Sequence, residues 1–183
     1  AITLHPLYGL PYIPGSAQKG LARSAAIYEL AEKWGIAGLP NEELSRKKVT
    51  PLGELDQLLE TPKDELESQL QRLAAVAAAC EINTGQLPQD VSALRNFPLV
   101  QTARAIFGWM GNTGEVVFYD APPAAPPHLV VEIMNPHFPE YYQSFGAIPP
   151  GDNQNPIPVL YLAVESGSTF HFAIGTRRSL LAP

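Results

Sequence analysis

The chain has few of the residues from which disulfide frameworks, metal centres and membrane spans are built. Cys80 is the single cysteine among 183 residues, which excludes an internal disulfide and makes a reducing cytoplasm the expected compartment. The four histidines stand apart without a metal-ligand spacing, so we expect neither a metal nor another cofactor. Because no apolar run approaches the roughly 18 residues of a membrane span, we expect no membrane contact.

Basic residues are also scarce, which argues against nucleic acid as a ligand. Twelve lysines and arginines stand against 18 acids, giving a formal net charge of -6, whereas phosphate-binding proteins usually carry a basic surface. However, residues 29–67 contain ten acids and five bases, so most of the excess negative charge lies in one segment. That segment can face solvent or a basic partner while a separate surface contacts nucleic acid, so the net charge does not exclude this class of ligand.

Residues 12–23, with the sequence YIPGSAQKGLAR, are the most informative stretch. Their Pro-Gly turn predicts a helix over residues 16–32 with Ser16 as its N-cap. Lys19 then falls in the first turn, where the helix dipole disfavours a cation by roughly 0.3–1 kcal/mol. A bound anion would explain this choice, and a solvated Lys19 on an ordinary helix is the alternative. The residues of this predicted anion site are Gly15, Ser16, Lys19, Gly20 and Arg23.

If the anion site is real, Lys19→Glu has two effects of opposite sign. It weakens binding of a phosphate ligand, because a carboxylate replaces the cation. It leaves the stability of the protein unchanged or raises it slightly, because an acid suits the first turn of a helix better than a base.

The order of the predicted elements indicates an α+β fold. Helical patterns come first and strand patterns follow, which argues against a doubly wound sheet. Residues 1–13 are predicted as an irregular edge strand or hairpin, and the turn at residues 165–167 predicts that the last two strands pair as an antiparallel hairpin. The later helices are predicted from Thr61, near 89–95 and at 99–107, and the strands at 115–120, 128–134, 157–164 and 169–174.

An apolar stripe runs along the helix predicted to begin at Thr61. Its members recur at steps of three and four residues, so the stripe is expected to face the core or a partner helix. They are Leu66, Leu70, Leu73, Ala77 and Cys80.

Residues 12–23 resemble the N-terminal signature of the RAMP superfamily, the RNA-binding subunits of type III CRISPR effector complexes. Within that superfamily, residues 5–11 (HPLYGLP) are similar to the sixth-subunit family of the type III-B (Cmr) complexes. Further blocks that resemble the superfamily follow in the same order. They are Phe107-Gly108, Gly114 with 117–121, Asn135-Pro136-His137 with Tyr141-Tyr142, and 150–152 with 156–159.

The resemblance implies a ferredoxin-like, RRM-related antiparallel sheet in a single domain over residues 1–183, with residues 36–103 as a helical insertion. It implies a non-catalytic subunit that binds guide RNA (crRNA), with target RNA as a further candidate, and that assembles with other Cmr subunits in antiviral defence. The residues of the anion site would contact RNA phosphates. Residues 175–183 lack the glycine-rich loop that RAMP proteins usually carry near the C-terminus, so we expect weaker RNA binding by the isolated chain.

Two other functions remain open from the residues. His137 and Tyr141 could form the acid-base pair of a metal-independent endoribonuclease that processes CRISPR transcripts. The resemblance argues against this enzyme, because target cleavage in Cmr complexes is attributed to the backbone subunit. The acidic net charge instead favours a protein-interaction module without RNA contact, and the cationic run at residues 46–48 is either a solvated corner or an RNA contact.

Overall fold

The structure is a computed structural model that describes residues 2–36, 49–135, 138–144, 148–149, 151 and 158–177. The cationic run at residues 46–48 and His137 therefore lie outside the described residues. The chain divides into two compact units, each described by itself below. The ribbon unit consists of residues 1–14 and 120–172, and the helical unit consists of residues 15–119 and 173–183.

The described elements follow one another as short strands, then helices, then strands with one short helix among them. A 3-10 turn at Thr84–Gln86 precedes the fourth helix. In chain order the elements are β1 (Thr3–Leu4), β2 (Pro11–Tyr12), α1 (Gly15–Trp34), α2 (Pro51–Glu60), α3 (Leu66–Ala79), α4 (Val91–Leu94), α5 (Pro98–Phe107), β3 (Gly108–Trp109), β4 (Asn112–Thr113), β5 (Val116–Phe118), β6 (Leu129–Met134), α6 (Pro139–Gln143), β7 (Val159–Val164) and β8 (Ile174–Thr176).

The predicted helices are present, but two of their starts differ from the prediction. Helix α1 begins at Gly15, so Ser16 lies inside its first turn and the prediction of Ser16 as N-cap was wrong. Thr61 does not start a helix either. It caps the C-terminus of α2, where its backbone N–H and its hydroxyl both donate to the Gln57 carbonyl at 2.9 and 2.7 Å.

Helix α2 was missed by the sequence analysis, although its start carries a recognisable signal. Thr50 is its N-cap, and the threonine Oγ1 accepts a hydrogen bond from the Gly53 N–H at 3.0 Å. Pro51 occupies the first helical position, where a missing N–H is harmless. The same Thr-Pro pair occurs at Thr61, and local sequence alone did not show which of the two begins a helix.

The core of the helical unit is formed by side chains from α1 to α5. The predicted stripe on α3 is confirmed for Leu66, Leu70, Leu73 and Ala77, which are buried. Its fifth predicted member, Cys80, is only partly buried at the C-cap of the helix. Each buried leucine stabilises the fold by roughly 1.5–3 kcal/mol relative to an exposed one. Further core residues from the other helices are Leu30, Trp34, Leu55, Leu58, Leu59, Leu94, Val100, Ala103 and Phe107.

The ribbon unit contains two antiparallel strand pairs. The hairpin predicted in residues 1–13 is confirmed, since Thr3 of β1 pairs with Tyr12 of β2. Gly9 in the connection has φ = 66°, a left-handed conformation that glycine adopts without strain. Strands β6 and β7 pair over six residues, from Leu129↔Val164 to Met134↔Val159.

The hairpin predicted between the last two strands is wrong. Strand β7 pairs with β6, and β8 pairs with β5 through Phe118↔Ile174. Residues 169–171 instead lie beside the proline-rich segment at residues 122–127, where the Ala124 N–H donates to the Thr169 carbonyl at 2.8 Å. A turn at residues 165–167 fixes only where β7 ends, whereas the partner is selected by the ladder of six apolar-rich pairs with β6.

The α+β prediction is confirmed at the level of helices combined with small antiparallel sheets. The four strand pairs among the described residues are β1 with β2, β3 with β4, β5 with β8 and β6 with β7. The finer assignments, a ferredoxin-like sheet and a single domain with residues 36–103 inserted, stay predictions.

Candidate functional site

The first turn of α1 is held against β5 by close backbone packing. Gly15 is buried, and a Cβ at this position would collide with the Phe118 carbonyl. The Gln18 side chain donates to the Tyr119 carbonyl at 2.8 Å just beyond the same strand. Gly15 therefore positions the start of the helix and does so by lacking a side chain.

Gly15 and Gly20 differ in a way that a pair of alanine variants can test. We expect Gly15→Ala to lower the free energy of unfolding by about 1–3 kcal/mol, because the added methyl must displace backbone. Gly20→Ala should raise it by about 0.5–1 kcal/mol, because Gly20 is helical with nothing within 4 Å of the added Cβ. Urea denaturation of both variants measures this difference, and equal effects would contradict the packing described for Gly15.

Lys19 reaches across to the C-terminus of α5. Its Nζ donates to the carbonyl oxygen of Phe107, the last residue of that helix, at 2.9 Å. Because the C-terminal end of a helix carries partial negative charge, this contact gives a structural reason for a cation in the first turn of α1. An ammonium has three N–H donors, so one bond to Phe107 leaves donors for a second acceptor.

Arg23 links α1 to α2. Its Nε donates to Asp56 Oδ1 at 2.7 Å, and its Nη2 lies 3.2 Å from Glu60 Oε1. The Arg23 side chain is only 16% exposed, and two carboxylates neutralise its charge. A phosphate at this guanidinium would have to compete with both acids, so the geometry favours a positioning role for Arg23.

Four of the five predicted site residues line one open cleft of about 480 Å³. They are Ser16, Lys19, Gly20 and Arg23. The opposite side of the cleft is the β3–β4 hairpin, which contributes Trp109 and the side chain of Met110, 73% exposed at the hairpin tip. The structure therefore brings these four together, whereas Gly15 lies buried behind them.

Arg104 and Trp109 were not singled out by the sequence analysis. The Arg104 guanidinium donates to the carbonyls of Leu58, Leu59 and Thr61 at 2.8–3.1 Å, which caps the C-terminus of α2. It also lies 4.7 Å from the centroid of the Trp109 ring, a cation–π contact. Burial lowers the pKa of Arg104, because desolvation disfavours the charged form. The sequence signal that could have identified Arg104 is a single arginine on the otherwise apolar face of the helix predicted at residues 99–107.

The histidines that the structure describes have no shared site. His5 belongs to the β1–β2 connection, where its Nδ1 accepts hydrogen bonds from the N–H groups of Leu7 and Tyr8 at 3.3 and 3.4 Å. Among the described residues, no three His, Cys, Asp or Glu side chains are grouped so that they could hold a metal. Within the same residues, no helix has the length and apolarity needed to cross a membrane.

Comparison with protein families identifies the class. Residues 2–179 match the RAMP superfamily, and the chain belongs to that superfamily. This confirms the resemblance carried by residues 12–23 and by the later sequence blocks.

Comparison with individual proteins finds a relative within this superfamily. The chain is 34% identical over 177 residues to CRISPR system Cmr subunit Cmr6 of Pyrococcus furiosus. The alignment covers 93% of this chain and 49% of that protein, so the chain spans about half the length of the curated relative it matches.

Two solved structures are similar to the chain. The cryo-EM structure of the type III-B Cmr-beta bound to cognate target RNA matches with a TM-score of 0.47 and 20% identity, over 97% of this chain and 37% of that one. The crystal structure of Cmr6 from Pyrococcus furiosus matches with a TM-score of 0.45 and 30% identity, over 93% and 70% of the two chains.

Proposed function

We propose that the chain is a non-catalytic, RNA-binding structural subunit of a type III-B (Cmr) CRISPR effector complex in antiviral defence. Membership of the RAMP superfamily and 34% identity to Cmr6 support this function. The structural observation that supports it is the cleft at the start of α1, which is lined by Ser16, Lys19 and Gly20.

The RNA would be held mainly through its phosphates. The N-terminal turn of a long helix offers backbone N–H groups and positive dipole charge, and Lys19 adds an ammonium beside them. Gly20 leaves room for close approach of the RNA backbone, and Ser16 adds an exposed hydroxyl. Such contacts position RNA without reading its sequence. Arg23 and Gly15 would support this surface, one through its ion pairs with α2 and one through its packing.

The proposed partners are guide RNA (crRNA), target RNA as a further candidate, and other Cmr subunits. The proposed compartment is the cytoplasm. We further propose that the strand pairs form part of a ferredoxin-like RAMP sheet in one domain, in which residues 36–103 are a helical insertion.

Co-expression with the other Cmr subunits tests the function. The purified complex should retain guide RNA, and the Lys19→Gln chain should assemble with a reduced content of that RNA. Lys33→Gln is the matched control, because Lys33 pairs only with Glu29 one turn away on α1 among the described residues. Normal assembly with equal guide RNA in all three complexes would support the interaction-module alternative instead.

The proposed absence of catalysis has a separate test. We expect His137→Ala to leave cleavage of target RNA by the assembled complex unchanged, and the isolated chain to leave a labelled CRISPR repeat RNA intact. Gel analysis of both RNAs over time measures this. A large loss of the target-cleavage rate at normal complex yield would contradict the non-catalytic proposal. Cleavage of the repeat RNA that depends on His137 would establish the endoribonuclease alternative.

A further inference from the structure

A second concave surface lies on the helical unit between the start of α3, α4 and α5. We call it the α3–α5 groove, and its volume is about 320 Å³. Its apolar floor includes Leu66, Leu94 and Val100. Its cationic residues are Lys63, Arg95 and Arg104.

The three cations of this groove form no ion pair with a carboxylate among the described residues. No carboxylate lines the groove among those residues. The nearby Glu67 carboxylate accepts a hydrogen bond from the Val91 N–H at 3.2 Å. The groove therefore combines three cations with an aliphatic floor.

We propose that the α3–α5 groove docks a segment of a partner protein in which an acidic side chain adjoins an aliphatic one. The carboxylate pairs with Arg95 and Lys63, which are exposed and able to reorient. The aliphatic side chain lies on Leu66, Leu94 and Val100. Arg104 adds a fixed positive charge at the base, because three carbonyls and Trp109 hold its guanidinium.

The composition of the groove favours a protein segment over RNA. Single-stranded RNA is usually held by bases that stack on successive aromatic rings, and among the described residues no aromatic ring lines this groove. An aliphatic floor would be left uncovered by a phosphate backbone, whereas a leucine-sized side chain fills it. A volume of about 320 Å³ is at the small end of ligand pockets, which suits a pair of side chains.

This proposal does not depend on RNA binding. The residues that line the α3–α5 groove are all different from those that line the cleft at Lys19. Separate variants therefore test the two proposals, Lys19→Gln for the cleft and Arg95→Glu for the groove, although Lys63 and Arg104 both lie over the ring of Trp109 in the cleft.

The test is an NMR titration of the full chain with a capped pentapeptide, Ser-Glu-Leu-Glu-Gly. We expect amide shifts to cluster at Val91, Leu94 and Gln101, and binding to weaken about tenfold in Arg95→Glu. Lys33→Glu is the control and should bind as the unaltered chain does. Peptides with Gln for Glu, or Ala for Leu, should each bind more weakly.

Several outcomes would overturn the proposal. They are an absence of shifts at the groove at millimolar peptide, equal binding of the Gln peptide, or equal binding by Arg95→Glu and Lys33→Glu. If a ten-nucleotide oligouridylate displaces the peptide and shifts the same amides, the groove binds RNA and the proposal is wrong. Should Arg95→Glu fail to fold by circular dichroism, Lys63→Ala replaces it, with a weaker but measurable loss of peptide binding expected.

Discussion

Leu70→Asp is expected to unfold the helical unit or to lower its free energy of unfolding by at least about 4 kcal/mol. Leu70 is 2% exposed in the middle of α3, in the core shared with α2. The substitution removes the burial of a leucine and places a carboxylate among the buried apolar side chains of the core. Domains of this size have total stabilities of roughly 5–15 kcal/mol, so a loss of about 4 kcal/mol removes between about a quarter and four fifths of the stability.

Gln71→Asp is the matched control for this experiment. Gln71 is the next residue on the same helix and is exposed, so the same aspartate there should change stability by no more than about 0.5 kcal/mol. Urea denaturation followed by circular dichroism compares the two variants. Similar midpoints for Leu70→Asp and Gln71→Asp would show that the α3 stripe is not the core of the unit.

The stripe on α3 could be predicted because local spacing alone determines it. Residues three and four apart lie on one face of a helix, and whatever packs there must be apolar. The Pro-Gly turn at residues 14–15 located α1. Both α1 and α5 begin and end within one or two residues of the predicted limits. Helix α2 was missed because the Thr-Pro pair at Thr50 was not recognised as the start of a helix.

The pairing of strands could not be predicted from the turn at residues 165–167. Whether β7 pairs with β6 or with the strand that follows depends on the whole ladder, and β6 lies 25 residues or more before β7. A pairing between strands so far apart in the sequence depends on contacts along the whole length of both strands, and a local turn does not show it.

The hydrogen-bonding partners of Lys19 and Arg23 could not be predicted from the sequence either. Lys19 bonds to Phe107, 88 residues away, and Arg23 pairs with Asp56, 33 residues away. The sequence therefore predicted that Lys19→Glu would keep or raise stability. The structure reverses that expectation, because a glutamate there would face the carbonyl end of α5. We now expect Lys19→Glu to destabilise the protein by about 1 kcal/mol.

Lys19→Gln is the sharper variant for the RNA proposal. Glutamine removes the positive charge but retains an amide donor that can face the Phe107 carbonyl, so the loss of stability should be smaller than for glutamate. We expect guide-RNA affinity to fall about tenfold, which corresponds to one charge-assisted contact. Lys33→Gln, at the other end of α1, should leave affinity unchanged.

The salt dependence of guide-RNA binding tests the proposed phosphate site at Lys19 most directly. Each phosphate contact that is lost should make the log–log slope of the binding constant against salt shallower by about 0.7 for single-stranded RNA. Filter binding of folded Lys19→Gln across a range of salt concentrations should therefore give a slope shallower by this amount than that of the unaltered chain or Lys33→Gln. Equal slopes and equal affinities for all three proteins would contradict the proposed phosphate site. The role of Lys19 would then be to cap the C-terminus of α5.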